Sequence, residues 1–329
     1  MPLSLTINIF CFKVNGLEIL LLSIFCIDRT SPFFTAIVIN LPWLVVKYMF
    51  LLPGLLVLLA ILIFPIGFTV RLSLSSWDSF YPGLDFIGLE NYIRLFTDDS
   101  RFWEAFGRLS LLSLTTVFLQ YIIGFSLALL VWKEIRFQRL FRVLFLIPMM
   151  TTPVIMTVVW RTFFHESLGP VNDFFSLFGM QPLWLSSEIL SKFTVILVEV
   201  WQWTPFMFLL LLAGLLSLPK EPYLAASIDG AGPVRTFVYV TFPLMAPISI
   251  GAIIIRLIEA SKIMDTVYVL TSGGPGTSTE TSSFYIFIKG LREFQFGYSA
   301  ALSITYLIIM IISFTVIAKI LVKLMVRGE

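Results

Sequence analysis

Six stretches of this 329-residue sequence are each long and apolar enough to cross a lipid bilayer. A membrane-spanning helix needs about 20 mainly apolar residues at a rise of about 1.5 Å each. Neighbouring helices or water can satisfy the backbone groups that prolines leave free, so the prolines in these stretches do not exclude a span. The sequence therefore predicts an all-α, polytopic membrane protein with six core transmembrane helices. They are roughly Leu51–Val70, Leu109–Trp132, Val143–Phe164, Phe193–Leu216, Leu244–Ile263 and Ala300–Met325.

The amino-acid composition is also typical of a protein that lies in a lipid bilayer. Hydrophobic residues make up 58% of the chain and charged residues 13%, whereas soluble domains have about 45–50% and about 25%. We therefore expect the lipid bilayer to surround the chain. The net charge of +2 comes without a basic run, which argues against a nucleic-acid partner.

The residue content argues against several classes of catalytic and metal site. Cys11 and Cys26 are the only cysteines and His165 is the only histidine. These counts argue against a disulfide framework, a thiolate or histidine metal site and a histidine-based triad. The sequence has no G-x-x-x-x-G-K-[ST], H-E-x-x-H or G-x-S-x-G motif. We expect no enzyme, no ATPase of its own, no metal and no cofactor bound by this chain.

The loops predict the orientation of the spans. The connection after Trp132 is short and carries Lys133, Arg136, Arg139 and Arg142. Cytoplasmic loops carry an excess of Lys and Arg, so we place this loop inside. Alternation then predicts a cytoplasmic C-terminus. It puts residues 71–108, 165–192 and 264–299 outside and residues 217–243 inside.

The first 48 residues form a hydrophobic N-terminal extension with two shorter apolar runs, Leu17–Ile27 and Phe33–Val46. One extra helix, a helical hairpin and a mis-called start with initiation near Met49 are all compatible with this pattern. We therefore divide the chain into an extension, 1–48, and a transmembrane domain, 49–329.

The most informative segment is the inside connection Glu221–Pro243. Pro222 suits the first turn of a short helix, and Gly230 can end that helix in a left-handed cap. The spacing predicts a second short helix over Val234–Val240 before Pro243 opens the next span. Small side chains at positions 225 and 226 would permit another protein surface to approach closely.

This segment resembles the EAA loop of importer-type ABC permeases, in which Glu-Ala-Ala is followed by a spaced glycine and then Ile-x-Leu-Pro. The sequence departs from that pattern at Leu224, where the loop usually has its glutamate. Asp229-Gly230-Ala231 is similar to the extended form found in sugar importers. Ala225, Ala226, Gly230 and Pro243 fall on the spacing of the loop.

Further resemblance to the maltose and glycerol-phosphate importer permeases covers the chain from about residue 48 to the end. Four stretches in the same order carry it: Gly88–Tyr92 with Phe102-Trp103, Trp201–Phe206, Tyr268–Gly276 and the EAA-like loop itself. The resemblance implies the ABC importer type I permease fold in a prokaryotic cytoplasmic (inner) membrane. It also implies that the loop is a coupling helix, whose candidate residues are Leu224, Ala225, Ala226, Asp229, Gly230 and Pro243.

The implied partners are a second homologous permease, two copies of a cytoplasmic ABC ATPase that holds ATP and Mg, and an extracytoplasmic solute-binding protein. The implied function is a translocation path for a sugar or related polyol. A homodimer of this chain also remains open.

Ionisable residues inside spans cost about 2.5–3.5 kcal/mol each on insertion scales and mark candidate functional sites. Glu199 lies within the fourth span; Arg256 and Glu259 lie in the fifth, where their i,i+3 spacing places them on one helix face and lets them pair. That pair could equally be a buried structural one. Matching positions with the maltose-type permeases implies a substrate pathway formed by Glu199, Gln202, Trp203, Phe206, Arg256, Glu259, Ala260 and Ile263.

Three other interpretations compete. An ion-coupled secondary transporter would often show internal repeats, and it leaves the EAA-like loop unexplained. A membrane-embedded enzyme would need a catalytic constellation within the spans. An ABC permease for a non-sugar solute keeps the same fold, and the Asp229-Gly230-Ala231 extension favours carbohydrate over it.

Overall fold

The computed structural model describes residues 9–14, 17–22, 43–80, 83–132 and 138–325. The chain divides into two compact units, Met1–Pro65 and Ile66–Glu329.

The first unit contains a two-stranded antiparallel sheet. Strand β1 (Ile9–Val14) pairs with β2 (Leu17–Leu22). The apolar run that the sequence offered as a helix, Leu17–Ile27, therefore begins as a strand. The second run, Phe33–Val46, lies outside the described residues as far as position 42. The division of the chain at residue 48 stays a prediction.

Among the described residues, five helices are long and apolar enough to cross a membrane, and a sixth span results when one bent pair is counted together. This agrees with the six predicted core spans. The long helices are α1 (Trp43–Ser73), α3 (Ser100–Trp132), α7 (Glu188–Ser217), α10 (Phe242–Ala260) and α13 (Phe296–Met325). The bent pair is α4 (Gln138–Met150) with α5 (Pro153–Phe163). The shorter helices are α2 (Glu90–Thr97), α6 (Pro170–Ser176), α8 (Glu221–Ile228), α9 (Pro233–Thr236), α11 (Asp265–Leu270) and α12 (Ser282–Phe287), with π-helical turns at Phe237–Thr241 and Ile288–Arg292.

The bend between α4 and α5 measures 97° and has a local cause. Thr152 adopts an extended conformation, as a residue before proline prefers to do, and Pro153 then opens α5. The break frees carbonyl groups that bilayer lipid cannot satisfy. The side-chain amide of Gln202 donates to the carbonyls of Pro148 and Thr151 at 2.6 and 3.2 Å, which supplies the missing partners.

The three segments predicted to lie outside meet at one end of the second unit. Arg101 donates to both carboxylate oxygens of Glu280, at 2.9 and 2.6 Å, and so joins segment 71–108 to segment 264–299. The hydroxyls of Ser191 and Ser278, 3.4 Å apart, join segment 165–192 to the same place. We call this the predicted outer end, and the end that carries α8 the predicted cytoplasmic end.

Asp99 organises the predicted outer end. Its carboxylate accepts hydrogen bonds from the hydroxyls of Tyr285 and Tyr298 and from the backbone N–H of Phe102 in the first turn of α3. Burial, and then the bond to Asp99, raise the pKa of Tyr285, so its phenol stays protonated and remains a donor. One carboxylate thus fixes α12 and α13 against the start of α3.

Close approach of backbones holds the core together. Lipid tails are as apolar as leucine, so helices in a bilayer associate through tight packing and polar contacts rather than through the hydrophobic effect. Gly214 shows this, since a Cβ there would lie 2.8 Å from the side chain of Ile248 and 2.9 Å from that of Met245. The absence of a side chain lets α7 approach α10 closely.

Candidate functional site

An ion pair lies in the core of the second unit, between two spans. Nη2 of Arg256, on α10, is 3.2 Å from Oε2 of Glu199, on α7. Their side chains are 1% and 5% exposed. A charge at this depth is stable only when it is paired and hydrogen-bonded, so each residue depends on the other.

Two further helices complete the bonding of this pair. Nε of Arg256 donates to Oε1 of Gln120, on α3, at 2.8 Å, while the amide of Gln120 donates to the backbone carbonyl of Glu199 at 2.9 Å. Thr266, on α11, donates to the second carboxylate oxygen of Glu199. The guanidinium also lies 4.9 Å from the ring centre of Trp203. We call these five side chains the Arg256 cluster; it ties α3, α7, α10 and α11 together.

Arg256 pairs with Glu199 rather than with Glu259, the partner that the i,i+3 spacing permits. Glu259 instead bonds Lys262 at 2.8 Å, and these side chains are 46% and 60% exposed. The i,i+3 rule considers one helix alone, whereas a buried guanidinium is stabilised most by the buried carboxylate that a neighbouring helix presents. The sequence contains no direct signal of that contact.

The predicted pathway residues fall into two groups, one with buried side chains and one whose side chains keep exposed surface. Buried ones serve the packing: Gln202 bonds the carbonyls at the α4–α5 break, while the carbonyls of Ala260 and Ile263 accept bonds from Ser113 and Thr281. Surface remains available on Trp203, Phe206 and Glu259. The pathway assignment stays a prediction.

Sequence reasoning missed Gln120 and Thr266. Gln120 had a signal, because it is a polar side chain within the apolar stretch Leu109–Trp132, and polar residues within spans are usually placed for a reason. Thr266 had none that we can identify, since threonine is common near helix ends.

The segment Glu221–Pro243 has the local structure that its sequence predicts. Helix α8 ends at Ile228, and Gly230 follows with φ +68°. The N–H of Ala231 bonds the carbonyl of Ala226 at 2.9 Å and that of Gly230 bonds Ser227 at 3.2 Å, a Schellman cap. The predicted left-handed glycine cap is thus confirmed.

The second predicted short helix, Val234–Val240, is instead continuous with the fifth span. Helix α9 passes through the π-helical turn Phe237–Thr241 directly into α10. Pro243 explains the wide turn, because its ring clashes with the carbonyl four residues earlier and removes one N–H from the ladder. The N–H of Phe242 reaches back to Phe237, as in a π-turn.

The surface of α8 is more apolar than its two alanines indicate. Leu224 and Ile228 are 63% and 85% exposed, and Ala225 and Asp229 are exposed as well, whereas Ala226 is buried. The two alanines therefore do not form the single exposed face of small side chains that the sequence predicts, because Ala225 is exposed and Ala226 is buried. Leucine and isoleucine supply most of the exposed apolar surface.

Comparison with known proteins identifies the class. Residues 120–328 match the family described as binding-protein-dependent transport system inner membrane component. The chain belongs to this family and is a multi-pass inner-membrane transport subunit.

Among its relatives, the trehalose/maltose transport system permease protein MalF of Thermococcus litoralis is 35% identical over 271 residues, which cover 82% of this chain and 91% of that protein. The sn-glycerol-3-phosphate transport system permease protein UgpA of Pectobacterium atrosepticum is 32% identical over 278 residues, covering 84% and 92%. The sulfoquinovosyl glycerol transport system permease protein SmoG of Agrobacterium fabrum is 36% identical over 257 residues, covering 77% and 83%.

A solved structure supports the fold. A chain from a bacterial alginate ABC transporter, solved in complex with an alginate pentasaccharide-bound periplasmic protein, superposes with a TM-score of 0.73 at 20% identity. The match covers 86% of this chain and 95% of that one. At this identity the likeness concerns the fold alone.

We predict that Glu199→Gln destabilises the protein strongly, because it leaves a buried guanidinium without its counter-charge. Breaking one partner of a buried pair costs about 3–5 kcal/mol. The matched control is Glu259→Gln, which breaks an exposed pair worth about 0–1 kcal/mol. The measurement is the free energy of unfolding in detergent. Equal stability of the two variants would contradict the structural role of the Arg256 cluster.

Proposed function

We propose that this chain is a permease subunit of an ATP-driven ABC importer and that it lines the path of a sugar or related polyol. The observation that carries the proposal is the family match over most of the core, together with relatives whose names refer to trehalose/maltose, sn-glycerol-3-phosphate and sulfoquinovosyl glycerol. A secondary transporter would leave both the family match and the structure of the α8 segment unexplained.

The energy source is a partner chain. The sequence has no phosphate-binding loop of the G-x-x-x-x-G-K-[ST] type, so ATP and Mg belong to a cytoplasmic ATPase, present in two copies. Its docking surface is α8, where exposed Leu224 and Ile228 lie on a connection between spans rather than on a lipid-crossing helix. Exposed apolar patches of this kind mark protein interaction sites.

The charge of the neighbouring loop supports the orientation. Helix α3 ends at Trp132, whose ring lies 5.6 Å from Tyr223 of α8. The basic loop with Lys133 and Arg136 follows directly in the sequence. Helix α8 and the last residue of α3 therefore lie at the same end of the second unit. The positive-inside rule, applied to the basic sequence after Trp132, assigns this end to the cytoplasm together with the C-terminus. The solute then arrives from an extracytoplasmic binding protein at the other end, and a second permease completes the path.

The solute path within this chain is formed by the pathway residues that keep exposed surface. Trp203 and Phe206 offer aromatic faces to the C–H face of a sugar ring, and Glu259 can accept hydrogen bonds from its hydroxyls. The buried guanidinium of Arg256 lies 4.9 Å from the ring centre of Trp203 and so helps to hold that ring in place.

We predict that Leu224→Arg removes the ATPase from the purified complex, because a charge replaces apolar surface in the docking face. ATP-dependent sugar uptake into proteoliposomes falls with it. Leu177→Arg is the control, since Leu177 is 78% exposed but lies between α6 and α7 in segment 165–192. Full retention of the ATPase by Leu224→Arg, or equal loss in both variants, would contradict docking at α8.

For the solute path we predict that Glu259→Ala and Trp203→Ala raise the solute concentration that gives half-maximal uptake, at unchanged expression. A lost hydrogen bond or ring contact of about 1 kcal/mol corresponds to roughly a fivefold increase. Phe193→Ala is the control. Phe193 lies on the same helix as Trp203 but lines an apolar groove together with residues of α3 and α4, so its removal should leave that concentration unchanged. Wild-type values in both pathway variants would remove these residues from the path.

A further inference from the structure

One side chain of α8 reaches two different spans. The ring of Tyr223 packs on that of Trp132, the last residue of α3, with 5.6 Å between ring centres. Its hydroxyl donates to Oγ1 of Thr241 at 3.1 Å. Thr241 immediately precedes α10. The partly buried Tyr223 therefore joins a short helix outside the bilayer to the ends of α3 and α10.

Its hydrogen-bond partner sits at an irregular point of the fifth span. Thr241 is buried and is the last residue of the π-helical turn Phe237–Thr241. In such a turn the i→i+4 ladder is interrupted, and π-turns often occur at functional sites. Phe237 in the same turn packs against Phe125 of α3, with ring centres 5.7 Å apart. The turn is thus in contact with α3 and with α8 at once.

The two spans that Tyr223 reaches meet again in the Arg256 cluster. Helix α3 supplies Gln120 and α10 supplies Arg256, bonded to each other at 2.8 Å. Thr241 and Arg256 are separated by about 22 Å of helix at 1.5 Å per residue. Helices α3 and α10 thus connect the contacts of Tyr223 with the residues beside Trp203.

We propose that Tyr223 is a positioning residue for transport: it transmits the movement of α8 to α3 through Trp132 and to α10 through Thr241. The inference rests on the proposed function, because it requires a partner ATPase that moves α8. It adds a specific linkage within the permease. The exposed residues of α8 receive the partner, and Tyr223, on the side that contacts the spans, passes the movement on.

A tyrosine that only fills space and a positioning tyrosine differ in the property that is lost when the residue is mutated. A tyrosine that only fills space contributes to stability, and its loss lowers uptake and ATP hydrolysis together. A positioning residue contributes to the ratio of the two. When the link is weakened, α8 still docks and ATP is still hydrolysed, but fewer of those events move the spans.

The test uses the complete transporter in proteoliposomes, with its ATPase, second permease and binding protein. Sugar uptake and phosphate release are measured in the same vesicles. Tyr223→Phe removes only the hydroxyl and Thr241→Val removes only its partner. We expect each to raise the ATP hydrolysed per sugar transported about fivefold, the factor that corresponds to one neutral hydrogen bond of about 1 kcal/mol. The double variant should equal either single one, because both remove the same bond.

Tyr239→Phe is the matched control: it removes the hydroxyl of a 74% exposed tyrosine in the same segment, and the ratio should not change. Melting temperature and ATPase content are measured for every variant. A wild-type ratio in Tyr223→Phe and Thr241→Val, or a fall in melting temperature with the ratio unchanged, would overturn the proposal while leaving the proposed function intact. Absence of ATP-dependent uptake by the wild type would overturn both.

Discussion

The guanidinium of Arg256 is the group around which the second unit is arranged. A bilayer offers it no water, and the effective penalty for burying an ion is several kcal/mol. Glu199 and Gln120 bond the guanidinium directly, and Thr266 bonds the carboxylate of Glu199. They come from three other helices, so satisfying one charge fixes the relative positions of four. Tight contacts such as that at Gly214 then become possible.

Irregular backbone lies at the margins of this fixed centre. The α4–α5 break is held by Gln202 of α7, the π-turn before α10 contacts Tyr223 through Thr241, and the predicted outer end is tied by Asp99. An importer changes between inward-facing and outward-facing states, and rigid-body rocking is an established route for such a change. This route needs a core that moves as one body, together with helix ends at which the angles between helices can change. The distribution of regular and irregular structure matches that need.

Local chemistry was predictable from the sequence, and contacts between helices were not. The spans follow from apolar length alone, and the cap at Gly230 follows from one glycine. The partner of Arg256 did not follow, because the i,i+3 rule favours Glu259 and nothing local indicates Glu199. The sequence did contain an indication of the strands Ile9–Val14 and Leu17–Leu22 that a search for long apolar stretches overlooks. Asn15-Gly16 stands between them in the sequence, and this dipeptide is favoured in two-residue hairpins.

We propose that this chain works as one subunit of an ATP-driven assembly whose ATPase docks on α8. The most direct measurement is purification from native membranes in mild detergent after crosslinking from Leu224→Cys, with Cys11 and Cys26 changed to Ser, and identification of the partners by mass. We expect a crosslink to an ATPase with a phosphate-binding loop, in a complex that also contains a second permease. Recovery of this chain alone or as a simple homodimer, with no ATPase attached at position 224, would contradict it.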